Sequence, residues 1–377
     1  MKSCRVCGAE LSKKPLLKYK NMPKVAQKFP DARGLKSDKG VNLEVFQCMG
    51  CGLVQLASKP VSYYKEDIRA GAFSPEMKAF RLPQFRKFCS KYGLKGKKTV
   101  EIGCGKGEYL SIMKAAGMNA YGTEYSKPAV DNCKANGLKA VRFFPKRPLQ
   151  KIPSGPFNAF FILNFLEHLP SLNTVLKCAA GNICEGGVGL VEVPNFELVL
   201  EKNLFSEFTT DHLFYFTRHT LAMALKINGF DVLDSRIVWH DYIISMEVRK
   251  RAGLDIKSLY DKQTSLKREV KGFISKFHGG RVAVWGAGHQ ALAFMALTGI
   301  KNDICYVVDS APFKQGKFTT ATHLPIVPPS ALDTDPVLAV IIMAASYSDE
   351  VKGIIKRKYG KKIKVAVLRD HGLEICR

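Results

Sequence analysis

Three glycines set between two carboxylates are the first residues in this chain whose types and spacing could do chemistry. The stretch Thr99-Val100-Glu101-Ile102-Gly103-Cys104-Gly105-Lys106-Gly107 runs from an apolar segment into an acid and then into a G-x-G-x-G turn. Glycines are needed where the backbone bends sharply and must come within contact distance of a ligand with no Cβ in the way. The spacing differs from the G-x-G-x-x-G that cradles a pyrophosphate, and the preceding acid suits a cationic, amine-bearing ligand better than a phosphate. Roughly twenty residues on, Asn119-Ala120-Tyr121-Gly122-Thr123-Glu124 ends in a second carboxylate, where a doubly wound fold places an acid on ribose hydroxyls. Together they point to S-adenosylmethionine, with Glu124 on the ribose. A generic nucleotide-binding turn is the plainer alternative.

Four of the eleven cysteines form a second constellation. Cys4-Arg5-Val6-Cys7-Gly8 and Cys48-Met49-Gly50-Cys51-Gly52 are two C-x-x-C knuckles, each followed by glycine. Four thiolates complete a tetrahedral ion and leave no position open for water, so a structural zinc on Cys4, Cys7, Cys48 and Cys51 is expected. The trailing glycines are expected to free backbone N–H groups to point at sulfur. Four unrelated cysteines, or a redox pair, are the alternative. The intervening Pro15 to Leu43 is basic and reads as loop.

The elements that must position these residues follow from periodicity. Met77, Phe80, Leu82, Phe85 and Phe88 recur at helical spacing between Pro75 and Tyr92. Strands are expected at the Glu101 and Glu124 stretches, at Ala140 to Phe143, at Pro156 to Leu163 and at Val188 to Val193, with helices after the glycine turn, over Lys127 to Asn136 and over Asn173 to Ile183. In an open α/β sheet ligands bind outside the carboxyl ends of the strands, which places Asn164 and His168 beside the cofactor. His168 is a catalytic candidate, or an ordinary structural histidine after a strand. Further on, Asp211-His212 lies among aromatics in Phe205 to Thr217, and an acid beside a histidine can tune its pKa and hold one tautomer for proton abstraction. Tyr63 and Tyr64 open a linker, with Gly71-Ala72-Phe73-Ser74-Pro75 at its end, that either returns to the site or simply packs.

The chain of 377 residues divides into a zinc-binding module with linker at 1–74, an adenosylmethionine-binding domain at 75–250 and a C-terminal domain at 251–377. No secretory signal pattern or bilayer-length apolar run is present, so a cytoplasmic protein with no membrane partner is expected. The net charge of +25 comes from lysines and arginines spread through all regions. Such a field attracts a polyanion or a diphosphate-bearing substrate, or is simply a solvated lysine-rich surface. No basic arm interleaved with aromatics occurs, so nucleic acid is not the expected partner.

The glycine turn with its two acids resembles the class I methyltransferases, which implies Glu101 near the methionine amine, Gly103 and Gly105 under the ligand and Glu124 on the ribose. The four cysteines with Gly52-Leu53-Val54-Gln55-Leu56, the Glu101 turn, Glu192-Val193-Pro194 and His212-Leu213-Phe214-Tyr215-Phe216-Thr217 are together similar to the deoxysugar C-methyltransferase family. The likeness continues through Trp285-Gly286-Ala287-Gly288, Val307-Val308-Asp309 and Lys314-Gln315-Gly316-Lys317, and so covers nearly the full chain. It implies an α/β protein: a class I methyltransferase doubly wound sheet, an N-terminal zinc-binding module and a C-terminal Rossmann-like domain. Its expected reaction is methylation of a carbon next to the keto group of a nucleotide-linked sugar. The family's tyrosine-histidine-glutamate-histidine motif stands here as Thr209-Thr210-Asp211-His212, which keeps the acid in shortened form and the final histidine. Its glycine-glycine-serine strand followed by arginine is replaced by His240-Asp241-Tyr242-Ile243-Ile244-Ser245, so the fold carries over better than the substrate.

The second strand-glycine-helix unit, Arg281 to Gly288 with Asp309 downstream, lacks the third glycine of a dinucleotide fingerprint. By resemblance this domain holds the nucleotide part of a small-molecule substrate or closes the cleft; separately, a monomer is expected. The expected chemistry is removal of a proton by His212, with Asp211 orienting its ring and His168 either hydrogen-bonding the enolate oxygen or shuttling the proton. Two rivals remain: an O- or N-methyltransferase using His212 on a hydroxyl or amine, and a non-catalytic zinc-containing nucleic-acid-binding protein.

Overall fold

Strand Lys98–Ile102 is buried on both faces from Thr99 onward, as a central strand of a parallel sheet must be, and its register sets the rest of the fold. The computed structural model describes residues 3–26, 29–65, 74–277 and 281–376, which form two compact units, Met1–Ala252 and Gly253–Arg377. In the first, a seven-stranded sheet runs Phe230–Val238, Ile243–Lys250, Ile183–Pro194, Phe157–Leu163, Lys98–Ile102, Asn119–Glu124, Lys139–Arg142. All the contiguous pairs from Ile183–Pro194 to Lys139–Arg142 are parallel, and Ile243–Lys250 is antiparallel to both its neighbours. The order reverses at Lys98–Ile102, so the crevice above the glycine turn is a topological switch point, the place where doubly wound sheets bind ligands.

Side chains alternate between two apolar layers. Phe161, Leu163, Val188 and Leu190 pack under helices Pro75–Lys91 and Glu108–Ala115, whereas Val100, Ile102, Phe160, Ile162 and Val191 pack under Leu172–Asn182 and Arg218–Ile227. Helix Pro75–Lys91 starts where its sequence dictates: the Ser74 side chain accepts from the Met77 N–H, with proline at the first helical position.

The cysteine-bearing region is more regular than its composition suggests. Within the stretch expected as loop, Leu17–Met22 is a strand, and Val41–Gln47 begins a second. They pair antiparallel, and Val54–Leu56 extends the sheet. In Leu17–Met22 only Tyr19 and Met22 are half-buried and Leu17 is exposed along with the lysines, as on an edge strand, while Leu43 and Val45 of the second strand are buried. The fourth strand of this sheet is Phe214–Tyr215, from far downstream. One apolar core runs from Leu43, Val45, Phe46 and Val54 into Leu166, Phe214, Phe216 and Val193, so the cysteine region and the seven-stranded sheet share their packing. Of the linker, residues 66–73 lie outside the described residues, while Tyr63 is buried.

The second unit carries a six-stranded sheet in the order Ile326–Val327, Val307–Val308, Val282–Trp285, Ala339–Ile342, Lys364–Leu368, Leu373–Cys376, parallel except for the last strand. At its glycine turn, Asp309 accepts from the Ala287 N–H (2.8 Å), the Ala311 N–H (2.9 Å) and Lys314 Nζ (2.9 Å). The acid that would meet a ribose in a dinucleotide fold is thus tied into the loop itself.

Candidate active site

The glycine turn takes its shape from backbone that only glycine tolerates well. Gly103 and Gly107 lie at φ +78° and +93°, and a Cβ on Gly103 would stand 2.7 Å from the Phe165 ring. The Gly103 and Cys104 N–H groups both donate to the Thr123 carbonyl, at 2.9 and 3.0 Å. Glu124 accepts from Gly105 N–H (3.0 Å) through one carboxylate oxygen and from Ser126 N–H (2.9 Å) through the other. Those bonds hold the carboxylate at the strand end, the place where an acid meets vicinal hydroxyls in a doubly wound fold. Glu101 is fully buried on the adjacent strand, paired in register with Gly122 and Phe161. Asn164, at φ +47°, donates its N–H to the Glu192 carbonyl (2.9 Å), and its Oδ1 is buried with no hydrogen-bond partner. An orphaned acceptor and a buried acid at the end of two neighbouring strands fit an ammonium group, and the glycine turn admits the ligand's backbone-facing edge. The donor set therefore suits S-adenosylmethionine.

A few residues past Asn164, the chain makes a short turn over Leu166–His168 and meets the Asp211-His212 segment. The Leu213 N–H donates to the Glu167 carbonyl (2.8 Å), and His168 Nδ1 lies 2.9 Å from the Asp211 carbonyl. A carbonyl can only accept, so Nδ1 carries the proton and Nε2 presents its lone pair. The His168 and His212 rings meet edge to face with centroids 4.7 Å apart, and Glu167 Oε1 lies 3.6 Å from His168 Nε2. Burial governs the protonation of all three groups. It pushes His212 down to about 4 and His168 well below the usual imidazole range, the latter helped by the neighbouring His212, and it raises the Glu167 carboxyl to about 8. Near neutral pH the site therefore holds two uncharged imidazoles and a protonated acid, a setting in which His212 is free to accept a proton.

The structure assigns Asp211 a different place from the one expected. Its carboxylate accepts from the Tyr63 hydroxyl, 2.8 Å to Oδ1 and 3.0 Å to Oδ2, and so does not orient the His212 ring. Its link to the imidazoles is the backbone carbonyl on His168. Tyr63 in turn accepts from the Ala26 N–H (2.9 Å), and Thr210 Oγ1 donates to the Lys24 carbonyl (3.1 Å), so the N-terminal region grips the segment just before His212. On its other side the segment is held by the Phe214–Tyr215 strand and by a capping box in which Thr217 and Thr220 bond reciprocally at the start of helix Arg218–Ile227. Glu167 was not singled out by the sequence, although its adjacency to His168 was a signal. Tyr63 had only its position in the linker.

Because the folded-state pKa of Glu167 lies above its unfolded value, the protein gains stability from the neutral acid at low pH and loses it as pH rises from about 4.5 through about 8. Glu167→Gln should remove that loss, so that melting curves recorded at pH 6 and pH 9 converge for the variant. The wild type should fall by several degrees relative to it at the higher pH.

The four cysteine sulfurs lie within 4.8 Å of one another, with Cys4 to Cys51 at 3.8 Å and Cys7 to Cys48 at 3.4 Å. Ligands roughly 2.3 Å from a tetrahedral zinc stand roughly 3.8 Å apart, so the set fits that ion. The N–H groups directed at sulfur belong to Val6 (3.4 Å), Gly50 (3.3 Å) and Cys51 (3.3 Å). The trailing Gly8 and Gly52 instead donate to the Cys4 and Cys48 carbonyls, at 3.0 Å each, and their φ of +80° and +77° turns each knuckle.

Two family profiles match the chain: a methyltransferase domain over residues 76–235, and a C-methyltransferase C-terminal domain over residues 250–367. Among characterised proteins, C-methyltransferase NovU of Streptomyces niveus is 21% identical over 288 residues, 68% of this chain and 68% of the relative. Ubiquinone biosynthesis O-methyltransferase of Bordetella avium (strain 197N) is 25% identical over 99 residues, 25% of this chain and 41% of the relative. Among solved structures, an S-adenosylmethionine-dependent methyltransferase from Clostridium acetobutylicum aligns over 46% of this chain and 92% of its own, with 12% identity and a TM-score of 0.39. Among the described residues, no helix is long and apolar enough to cross a membrane.

Proposed function

We propose that this chain, an S-adenosylmethionine-dependent methyltransferase by its two domain matches, methylates a carbon next to a keto group, in a nucleotide-linked sugar or a related small molecule. The observation that carries the reading is the half-buried, uncharged His212 set edge to face on His168 at the carboxyl end of the sheet that bears the glycine turn. The likeness to a C-methyltransferase and to a C-methyltransferase C-terminal domain supports the choice of carbon.

Bound at the glycine turn, S-adenosylmethionine supplies a sulfonium-activated methyl group. Glu101 and Asn164 would hold its amine, Glu124 its ribose, and Gly103 and Gly105 would lie against it. His212 takes the proton from the carbon beside the carbonyl. Its low proton affinity in isolation is offset as negative charge develops on the adjacent oxygen, because an imidazolium beside an enolate in a dry pocket is strongly stabilised. With Nδ1 committed to Asp211, His168 has an acceptor rather than a donor at Nε2. It therefore suits the role of passing on the proton better than that of hydrogen-bonding the enolate, and protonated Glu167 is the donor nearest to it. Cys4, Cys7, Cys48 and Cys51 would hold a structural zinc.

The test is product NMR with ¹³C-methyl S-adenosylmethionine and candidate keto sugars. A methyl carbon coupled to a ring carbon, with loss of the α-hydrogen, is the expected result. A methyl on oxygen or nitrogen would overturn the reading in favour of heteroatom transfer.

A further inference from the structure

Among the described residues, one group of possible metal ligands besides the four cysteines converges as closely: Glu167, His168 and His212, whose ligand atoms all lie within 4.8 Å of one another. They come from two segments, the turn Leu166–His168 and the stretch before strand Phe214–Tyr215, which the bond from the Leu213 N–H to the Glu167 carbonyl ties together. Glu167 is 1% exposed. Its Oε2 is buried with no hydrogen-bond partner, and its Oε1 lies 3.6 Å from His168 Nε2, too far for a hydrogen bond. A buried carboxyl in that state is destabilising, so a fold retains it where something completes it.

The surrounding atoms point to what completes it. His168 donates from Nδ1 to the Asp211 carbonyl (2.9 Å), which leaves the Nε2 lone pair for the Glu167 side. The His212 ring meets His168 edge to face and, among the described residues, makes no hydrogen bond. A cation satisfies two imidazole lone pairs and a carboxylate at once. Donor atoms about 2.1 Å from a zinc-like ion stand roughly 3.4 Å apart in a tetrahedral arrangement, close to the 3.6 Å between Glu167 Oε1 and His168 Nε2. Two imidazoles with one carboxylate select a borderline ion such as Zn²⁺, Co²⁺ or Ni²⁺ over Mg²⁺ and Ca²⁺, which take oxygen ligands. The outer shell is also in place, because metal-bound histidines give their other N–H to a carbonyl or carboxylate, as His168 does.

We propose that Glu167, His168 and His212 form a second metal site, for an exchangeable divalent transition ion that inhibits the enzyme. On binding, Glu167 releases its carboxyl proton to solvent, and three protein ligands leave a fourth position to water. With one ligand fewer and a proton to displace, the trio holds its ion more weakly than four thiolates do. Inhibition rests on the reading of His212 as the base, since the lone pair that takes the substrate proton is then bound to metal.

Cobalt titration of the untagged, zinc-loaded full chain tests this, with affinity from calorimetry and α-hydrogen exchange followed on the same samples. One Co²⁺ per chain should bind beyond the structural zinc, with d–d absorption bands and without the sulfur-to-cobalt charge transfer that marks an ion on the cysteines. Losing an outer partner of a metal ligand costs roughly 10- to 100-fold in affinity, so Glu167→Gln, which removes a ligand itself, should weaken Co²⁺ by about a hundredfold and keep its zinc. A wild type that takes up no Co²⁺ beyond the cysteine site overturns the proposal, whether or not the variant folds. So does a folded Glu167→Gln chain that binds Co²⁺ as tightly as the wild type. Exchange should fall in proportion to the Co²⁺ bound. Exchange unimpaired with Co²⁺ on the trio would overturn the inhibitory role, and His212 as the base with it, while the isotherm would uphold the metal site.

Discussion

Replacing His212 by alanine should abolish both methyl transfer and exchange of the substrate's α-hydrogen with D₂O, while calorimetric affinity for S-adenosylmethionine stays at its wild-type value. In the proposed mechanism the residue acts on substrate and not on cofactor, and a positioned base typically contributes on the order of a hundred- to ten-thousandfold in rate. Its pH signature should be unusual for a histidine. Because burial holds His212 at about 4, the base stays unprotonated through pH 6.5, and the acid limb of the pH–rate profile should fall near 4. His168→Ala should slow turnover while preserving some exchange if the ring passes on a proton that His212 has already taken. An active, exchange-competent His212→Ala enzyme would show that the proton leaves by another route, and the assignment of the Asp211-His212 segment would fall with it.

The second large effect should come from the cysteines, which lie apart from the chemistry in sequence. Elemental analysis is expected to find one zinc per chain, and Cys4→Ser/Cys48→Ser to lose it. Structural zinc of this kind contributes on the order of 10 kcal/mol of apparent binding free energy to the fold that holds it. The variant should melt at much lower temperature and lose methyl transfer, yet the glycine turn lies on the other sheet, so cofactor affinity should fall far less. The physical route is the pairing of Val54 with Tyr215 and of Gln55 with Phe214, which begins two residues after His212. Without the metal the sheet that presents His212 loses its staple. Full activity in a metal-free, folded variant would rule out this coupling.

The parts of the fold that could be read from the sequence were those with local signals. The Glu101 turn, the carboxylate at Glu124 and the helix from Pro75 each carry their pattern within a dozen or so residues, and the structure places strands Lys98–Ile102 and Asn119–Glu124 and helix Pro75–Lys91 there. The strand Leu17–Met22 was hidden because it is an edge strand that half-buries only Tyr19 and Met22, so its lysine-rich composition carries no alternating apolar signal. The place of Asp211 could not be read from its neighbours at all. An acid next to a histidine suggests a pair, but its partner Tyr63 lies 148 residues away and no local rule predicts that contact.

The strand Phe214–Tyr215 has a consequence for how the chain is made. During synthesis the N-terminal sheet emerges first, and until residue 215 follows, Val54–Leu56 is left as an open edge with its hydrogen-bonding groups unpaired. An apolar edge of that kind is a template for pairing with other chains. The intermediate is exposed for the time taken to add about 160 residues, on the order of ten seconds or more at ordinary rates of elongation. Nascent chains stalled before Phe214 should therefore be the aggregation-prone species, and a truncation ending short of it would yield an unclosed sheet as well as an enzyme without its base.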